Sequence, residues 1–153
     1  MKFLPTTLVA VFVAAGALTI GFATQGQAQD AAAAAAVKER VALMKGNGGA
    51  AARITKAEDV KATVADAKTI QANLKKLGTL WPAGSITPDS RATPEIWKNM
   101  PDFTAKLAAA QKEADTLVAN AEKGDLAATK TQVRELVNAC NACHKAYRGP
   151  AKQ

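Results

Sequence analysis

Residues 140–144 read Cys-Asn-Ala-Cys-His, and this C-x-x-C-H spacing in the last helical stretch restricts the chain more than any other feature. On a helix, Cys140, Cys143 and His144 project from one face about one turn long. Two thiols so placed can take the two vinyl groups of a haem while the imidazole meets the iron, which is the chemistry this spacing serves. Two other readings compete and fit less well. A C-x-x-C redox or disulfide pair should follow a strand in a βαβ unit, and the sequence shows none. A structural zinc normally takes four protein ligands, and this motif offers three.

Thioether-bound haem is made in an oxidising, exported compartment, and the N-terminus agrees. Met1-Lys2 gives a short basic start, residues 8–23 are almost wholly apolar, and Gln25-Gly26-Gln27-Ala28 supplies a small-x-small pattern. This reads as a secretory signal cleaved after Ala28 rather than an anchor, because the apolar run is short for a bilayer span and holds Gly16 and Gly21. The expected organisation is therefore a signal over 1–28 and one domain over 29–153, residing in the periplasm without stable membrane insertion. Removing residues 1–28 takes away one lysine and no acid, so the formal charge falls from +7 to +6. That modest excess suits acidic protein partners. Nucleic acid is not expected, since the cations alternate with acids along helices and almost no aromatics stand beside them.

After residue 28 the aromatics are Trp81, Trp97, Phe103 and Tyr147 alone, while alanine is abundant. Alanine-lined helices approach closely but bury little apolar area, so a large apolar group would complete a thin core. Four amphipathic segments account for nearly all of this region, and no window alternates as a strand does. The first starts near a capping Asp30 and carries Val37, Val41, Met44 and Gly48 on one stripe, continuing through Gly46-Asn47-Gly48-Gly49. The second spans about Glu58 to Leu77 and ends at Gly78. A long connection, Leu80 to Thr93, suits a crossover between distant helices. Thr93-Pro94-Glu95 caps a short helix with Ile96 and Trp97. Phe103, Leu107, Ala110, Ala114, Leu117 and Ala121 mark the third long helix, closed by Gly124. Asp125 caps the fourth, whose inner positions run Leu126, Thr129, Val133, Leu136, Cys140, Cys143 and Tyr147. The fold class expected is all-α, an antiparallel four-helix bundle.

Arg40-Val41-Ala42-Leu43-Met44-Lys45, Leu80-Trp81-Pro82, Pro94-Glu95-Ile96-Trp97 and Cys140-x-x-Cys143-His144-x-x-Tyr147-Arg148 together resemble the class II c-type cytochromes, the family that includes cytochrome c prime. The resemblance implies one covalently attached haem c on the fourth helix and His144 as the proximal iron ligand. The Leu43-Met44-Lys45-x-Asn47-Gly48 stretch is similar to the low-spin branch, in which a first-helix methionine is the sixth ligand and the protein transfers electrons.

The residues constrain the sixth ligand in their own right. His144 is the single histidine and cannot serve both faces of a haem. Of the methionines beyond the signal, Met44 lies on the inner stripe of the first helix and Met100 precedes a proline at a helix junction, so Met44 is chosen over ordinary core packing. Arg40, four residues before Met44, and Arg148, four after His144, are candidates for the haem propionates. Trp81 and Tyr147 are candidates for packing on the porphyrin edge.

The function expected is a one-electron carrier with His144 and Met44 on the iron, its exposed haem edge docking redox partners through surface lysines. The rival is a five-coordinate protein that binds nitric oxide or carbon monoxide. No enzyme is expected, because no Ser-His-Asp set, second histidine or phosphate-binding glycine loop is present. A homodimer through the first two helices would need only modest apolar surface.

Overall fold

In a computed structural model the backbone of residues 21–151 and the side chains of residues 26–151 are described. The greater part of the expected signal, residues 1–20, lies outside the described residues. Five helices follow one another: α1 (Gly21–Lys56), α2 (Lys61–Leu77), α3 (Glu95–Lys98), α4 (Met100–Glu122) and α5 (Leu126–Tyr147). No strand occurs among the described residues; the single β-bridge joins Ala92 to Arg148.

Polar pairs fix the direction of each helix. Glu39, Asn47 and Arg53 on α1 meet Lys76, Asn73 and Asp66 on α2, so numbers rise on one helix as they fall on the other. Likewise Lys68, Gln71 and Leu74 on α2 meet Glu122, Asp115 and Gln111 on α4. Asp102 and Glu113 on α4 meet Tyr147 and Gln132 on α5. The four long helices are thus antiparallel neighbours in the order α1, α2, α4, α5, as the amphipathic stripes predict. The pair α1 and α5 packs least closely.

The main core runs through all four, with Ala50 and Ile54 of α1, Ile70, Leu74 and Leu77 of α2, Ala110, Ala114 and Leu117 of α4, and Val133 and Leu136 of α5. Alanines at the centre let α4 come close to its neighbours. A smaller cluster of Ile96, Phe103 and Tyr147, joined by Trp81 and Trp97, closes one end.

Several local expectations need correction. Asp30 does not cap α1, because the helix is already running at Gly21; the alanine block sustains it with no buried side chain among residues 26–35. The stripe on α1 splits by purpose. Val37 is buried, but Val41 is 47 % exposed and Gly48 is open to its surroundings. Thr93 makes no cap bond for α3; its Oγ1 instead donates to the carbonyl of Tyr147 at 3.3 Å. The long link also fails to cross to a distant helix, since α2 and α4 are direct neighbours. Its length goes into reaching Arg40 on α1 and the end of α5. Two expectations hold closely. Asp125 Oδ1 accepts from the Ala128 amide at 2.8 Å, and Gly124 takes the left-handed conformation with φ +82° that stops α4.

Candidate haem site

Because α1 and α5 are the loosely packed pair, a cavity of about 530 Å³ opens between them and reaches inward to α2 and α4. That volume falls within the roughly 300–1,000 Å³ typical of cofactor sites. Every residue singled out from the sequence lines it: Cys140, Cys143, His144 and Arg148 from the end of α5, and Arg40 and Met44 from α1. Trp81, Phe103 and Tyr147 contribute aromatic wall, and Ile70, Leu74, Ala110 and Leu136 form its apolar floor.

The capped start of α5 and its buried positions Thr129, Val133 and Leu136 fix the rotation of the helix, which turns Cys140 and Cys143 half-buried toward the cavity. Both thiols are free. Burial pushes the Cys140 thiol up, and burial together with the neighbouring Cys140 pushes Cys143 up to about 11. Both therefore stay protonated at neutral pH in the haem-free chain. Burial first, then the cations of Arg148 and Arg91, hold His144 below the usual histidine range. Its imidazole is neutral and has a lone pair to offer a metal.

Arg40 lines the cavity and also holds the long link. It is only 3 % exposed, and it anchors the long link by donating from Nη1 to the Leu80 carbonyl at 2.8 Å and to Ser85 Oγ at 2.7 Å, and from Nη2 to the Ser85 carbonyl at 2.6 Å. Its guanidinium carbon sits 4.2 Å from the centre of the Trp81 ring. No carboxylate pairs with it among the described residues, so a cation lies buried beside the cavity without a counter-charge. The indole Nε1 of Trp81 is likewise buried with no hydrogen-bond partner, an omission that costs about 1–3 kcal/mol.

These features fit a haem. Two free thiols and a neutral imidazole share one wall of an apolar cavity, a thioether stands on α1, and an unbalanced cation and an orphaned donor stand where carboxylates would be welcome. Val41, and Val137 at 39 % exposure, are apolar lips that a bound porphyrin would cover.

Sequence reasoning missed two contributors. Arg91, in the link, donates through Nε and Nη2 to the carbonyl of Gly149 at 3.1 and 2.7 Å and through Nε to that of Pro150 at 3.0 Å. With the Ala92–Arg148 bridge and the Thr93 amide on the Tyr147 carbonyl, it straps the link across the end of α5. Asp102 accepts from the Tyr147 hydroxyl at 2.5 Å and from Lys106 Nζ at 2.9 Å. Nothing in local sequence marks these contacts with the end of α5 and the residues after it, because Tyr147 lies 45 positions from Asp102 and Gly149 lies 58 from Arg91.

The sequence profile of the family described as Cytochrome C′ matches residues 35–148. A cytochrome c-556 of Agrobacterium fabrum is 39 % identical over 122 residues, which cover 76 % of this chain and 82 % of that protein. Among solved structures, a cytochrome c′ described as having an unusual ligand-controlled dimer dissociation superposes with a TM-score of 0.72 at 26 % identity, covering 77 % of this chain and 97 % of that one. The nitric oxide complex of a mutant of cytochrome c prime from Alcaligenes xylosoxidans superposes with a TM-score of 0.68 at 25 % identity, covering 75 % and 94 %.

Proposed function

The chain belongs to the cytochrome c′ family and carries a covalently bound c-type haem, and from that premise we propose that it is a periplasmic one-electron carrier whose iron is held by His144 and Met44. Cys140 and Cys143 form the two thioethers, and the domain that performs this work spans residues 29–153 after removal of a signal over 1–28. The observation that carries the reading is that Met44 of α1 and the C-x-x-C-H residues of α5 line one cavity from the two least closely packed helices.

Bound there, the haem supplies one-electron chemistry through its iron. The chain's residues set the conditions. Cys140 and Cys143 fix the macrocycle to the wall, so orientation does not depend on affinity. His144 gives a neutral nitrogen, and Met44 a polarisable sulfur that favours the reduced metal, a combination that raises the potential. A ligand pair held from two helices of a rigid bundle changes little between oxidation states, which suits fast exchange. Arg40 and Arg148 bring positive charge to the propionates. The basic surface around the cavity, including Lys45 and Arg91, docks redox partners with acidic faces, and a homodimer would engage the first two helices. No catalytic group is required of the chain.

The absorption spectrum of the reduced, haem-loaded protein tests this directly. Sharp low-spin α and β bands are expected, and Met44→Ala should convert them to a broad high-spin spectrum that responds to carbon monoxide. A second reading, an open distal face that takes nitric oxide or carbon monoxide, draws support from the similarity to the nitric oxide complex. A high-spin spectrum of the unaltered protein would establish it in place of the first.

A further inference from the structure

The long link is bonded to both of the helices that pack least closely. Its early part is held to α1 by Arg40, which donates to Leu80 and Ser85 one turn before Met44. Its late part is spliced to the end of α5. Arg91 donates from Nε and Nη2 to the Gly149 carbonyl at 3.1 and 2.7 Å and from Nε to the Pro150 carbonyl at 3.0 Å, while the Gly149 amide donates back to the Arg91 carbonyl at 2.7 Å. The Thr93 amide donates to the Tyr147 carbonyl at 3.1 Å. Between these bonds the Arg148 amide donates to the carbonyl of His144 at 3.0 Å, so the grip of the link reaches the residue whose imidazole lines the cavity.

The last turn of a helix frays because its final carbonyls have no donor within the helix. His144 stands in that turn of α5. A ligand there is only as well aimed as the turn that carries it, whereas a working site holds its groups to within about 0.5 Å and 10–20°. The splice supplies the missing donor at Tyr147 and fixes the chain just beyond it, and a guanidinium suits this task because its planar fork reaches two successive carbonyls at once. We propose that Arg91 is a positioning residue for the iron: by gripping the carbonyls of Gly149 and Pro150 it locks the last turn of α5 and so fixes the direction in which His144 presents its imidazole to the haem. The role rests on the haem reading of the cavity and is independent of what fills the sixth position. It also gives the link a purpose, since one segment tied to α1 and to α5 spans the cavity that separates them.

The test uses haem-loaded protein, with attachment first verified by mass. In a Met44→Ala background His144 is the single protein ligand of the ferrous iron under either reading of the sixth position, and resonance Raman then reads the iron–imidazole stretch. The charge of Arg91 also reaches His144, so the variants must separate charge from grip. Arg91→Met removes charge and donors, whereas Arg91→Gln removes the charge and keeps an N–H group that can meet a carbonyl. The hydroxyl of Tyr147, bonded to Asp102 on α4, still braces the turn in both. A single narrow band is expected with Arg91 in place. Arg91→Met should broaden and shift it as the imidazole takes several orientations, and Arg91→Gln should restore part of the narrowness. An unchanged band in Arg91→Met overturns the proposal and leaves the haem reading standing. So does equal broadening in the two variants, which would assign the effect to charge. Should Arg91→Met not fold, Arg91→Ala takes its place in the same comparison. Should no haem mass be found, the haem reading fails and the role of Arg91 at the iron fails with it.

Discussion

Tyr147 and Asp102 show how much the last turn of α5 asks of its surroundings. The phenol of Tyr147 is pushed up to about 12, chiefly by the hydrogen bond it gives to Asp102, and the same bond, with that from Lys106, holds the Asp102 carboxyl below the usual carboxylate range. The two shifts act at opposite ends of the pH scale. Asp102 binds its proton less readily in the folded chain, so its contribution is present above the unfolded carboxyl value of about 4 and lost as pH falls through its lower folded value. Tyr147 keeps its proton in the folded chain, so its contribution is complete below about pH 10 and lost as pH rises toward about 12. Asp102→Asn should therefore flatten the acid limb of a thermal-stability profile and narrow the alkaline one. A profile with both limbs unchanged would remove the pair from any role in holding α5. The thiols yield a second expectation. With Cys143 raised to about 11, alkylation of the apoprotein by iodoacetamide should be slow at pH 8 and speed up progressively toward pH 11. Arg40 is the costliest residue to lose here: Arg40→Ala removes three bonds to the link and should destabilise the protein by about 3 kcal/mol, read by chemical denaturation.

At the level of the helices, what could be foreseen and what could not divides along the range of the forces involved. Asp125 and Gly124 were legible because a cap and a left-handed stop act within one turn, and the stripes of α4 and α5 were legible because a period of 3.6 needs no partner to be seen. That the C-x-x-C-H residues and Met44 lie on the inner stripes of their helices, and so line the cavity, was legible for the same reason. The bonds of Arg91 to Gly149 and of Asp102 to Tyr147 were illegible, since both partners lie far along the chain. The α1 stripe was half right: Val41, Met44 and Gly48 do share a face, but that face looks onto a cavity and not onto a helix. Asp30 and Thr93 carry cap-forming side chains at positions where they cap no helix. Two substitutions follow from these elements. Gly124→Ala should cost about 1 kcal/mol, because φ +82° disfavours any side chain. Gly48→Ala should do the reverse in the apoprotein, adding about 1 kcal/mol from helix propensity, because nothing lies within 4 Å of the added methyl. Both are read as shifts in the denaturation midpoint.

For the whole molecule, stability is unevenly shared. The α2–α4 side is continuous apolar core braced by surface pairs, so Leu117→Ala should cost about 2–5 kcal/mol whether or not haem is present. The α1–α5 side contains the cavity, and an apoprotein should unfold more easily and expose the dye-binding surface there first, as hydrogen exchange along α1 and α5 would register. That division bears on how the molecule is born. The two walls of the cavity come from α1 and α5, the first and last helices among the described residues. A chain threaded out amino end first must leave Met44 without its facing wall until α5 (Leu126–Tyr147) has followed. The pocket for the prosthetic group is thus complete only once α5 is in place, and a chain cut short before Cys140 would lack the attachment wall of its own centre.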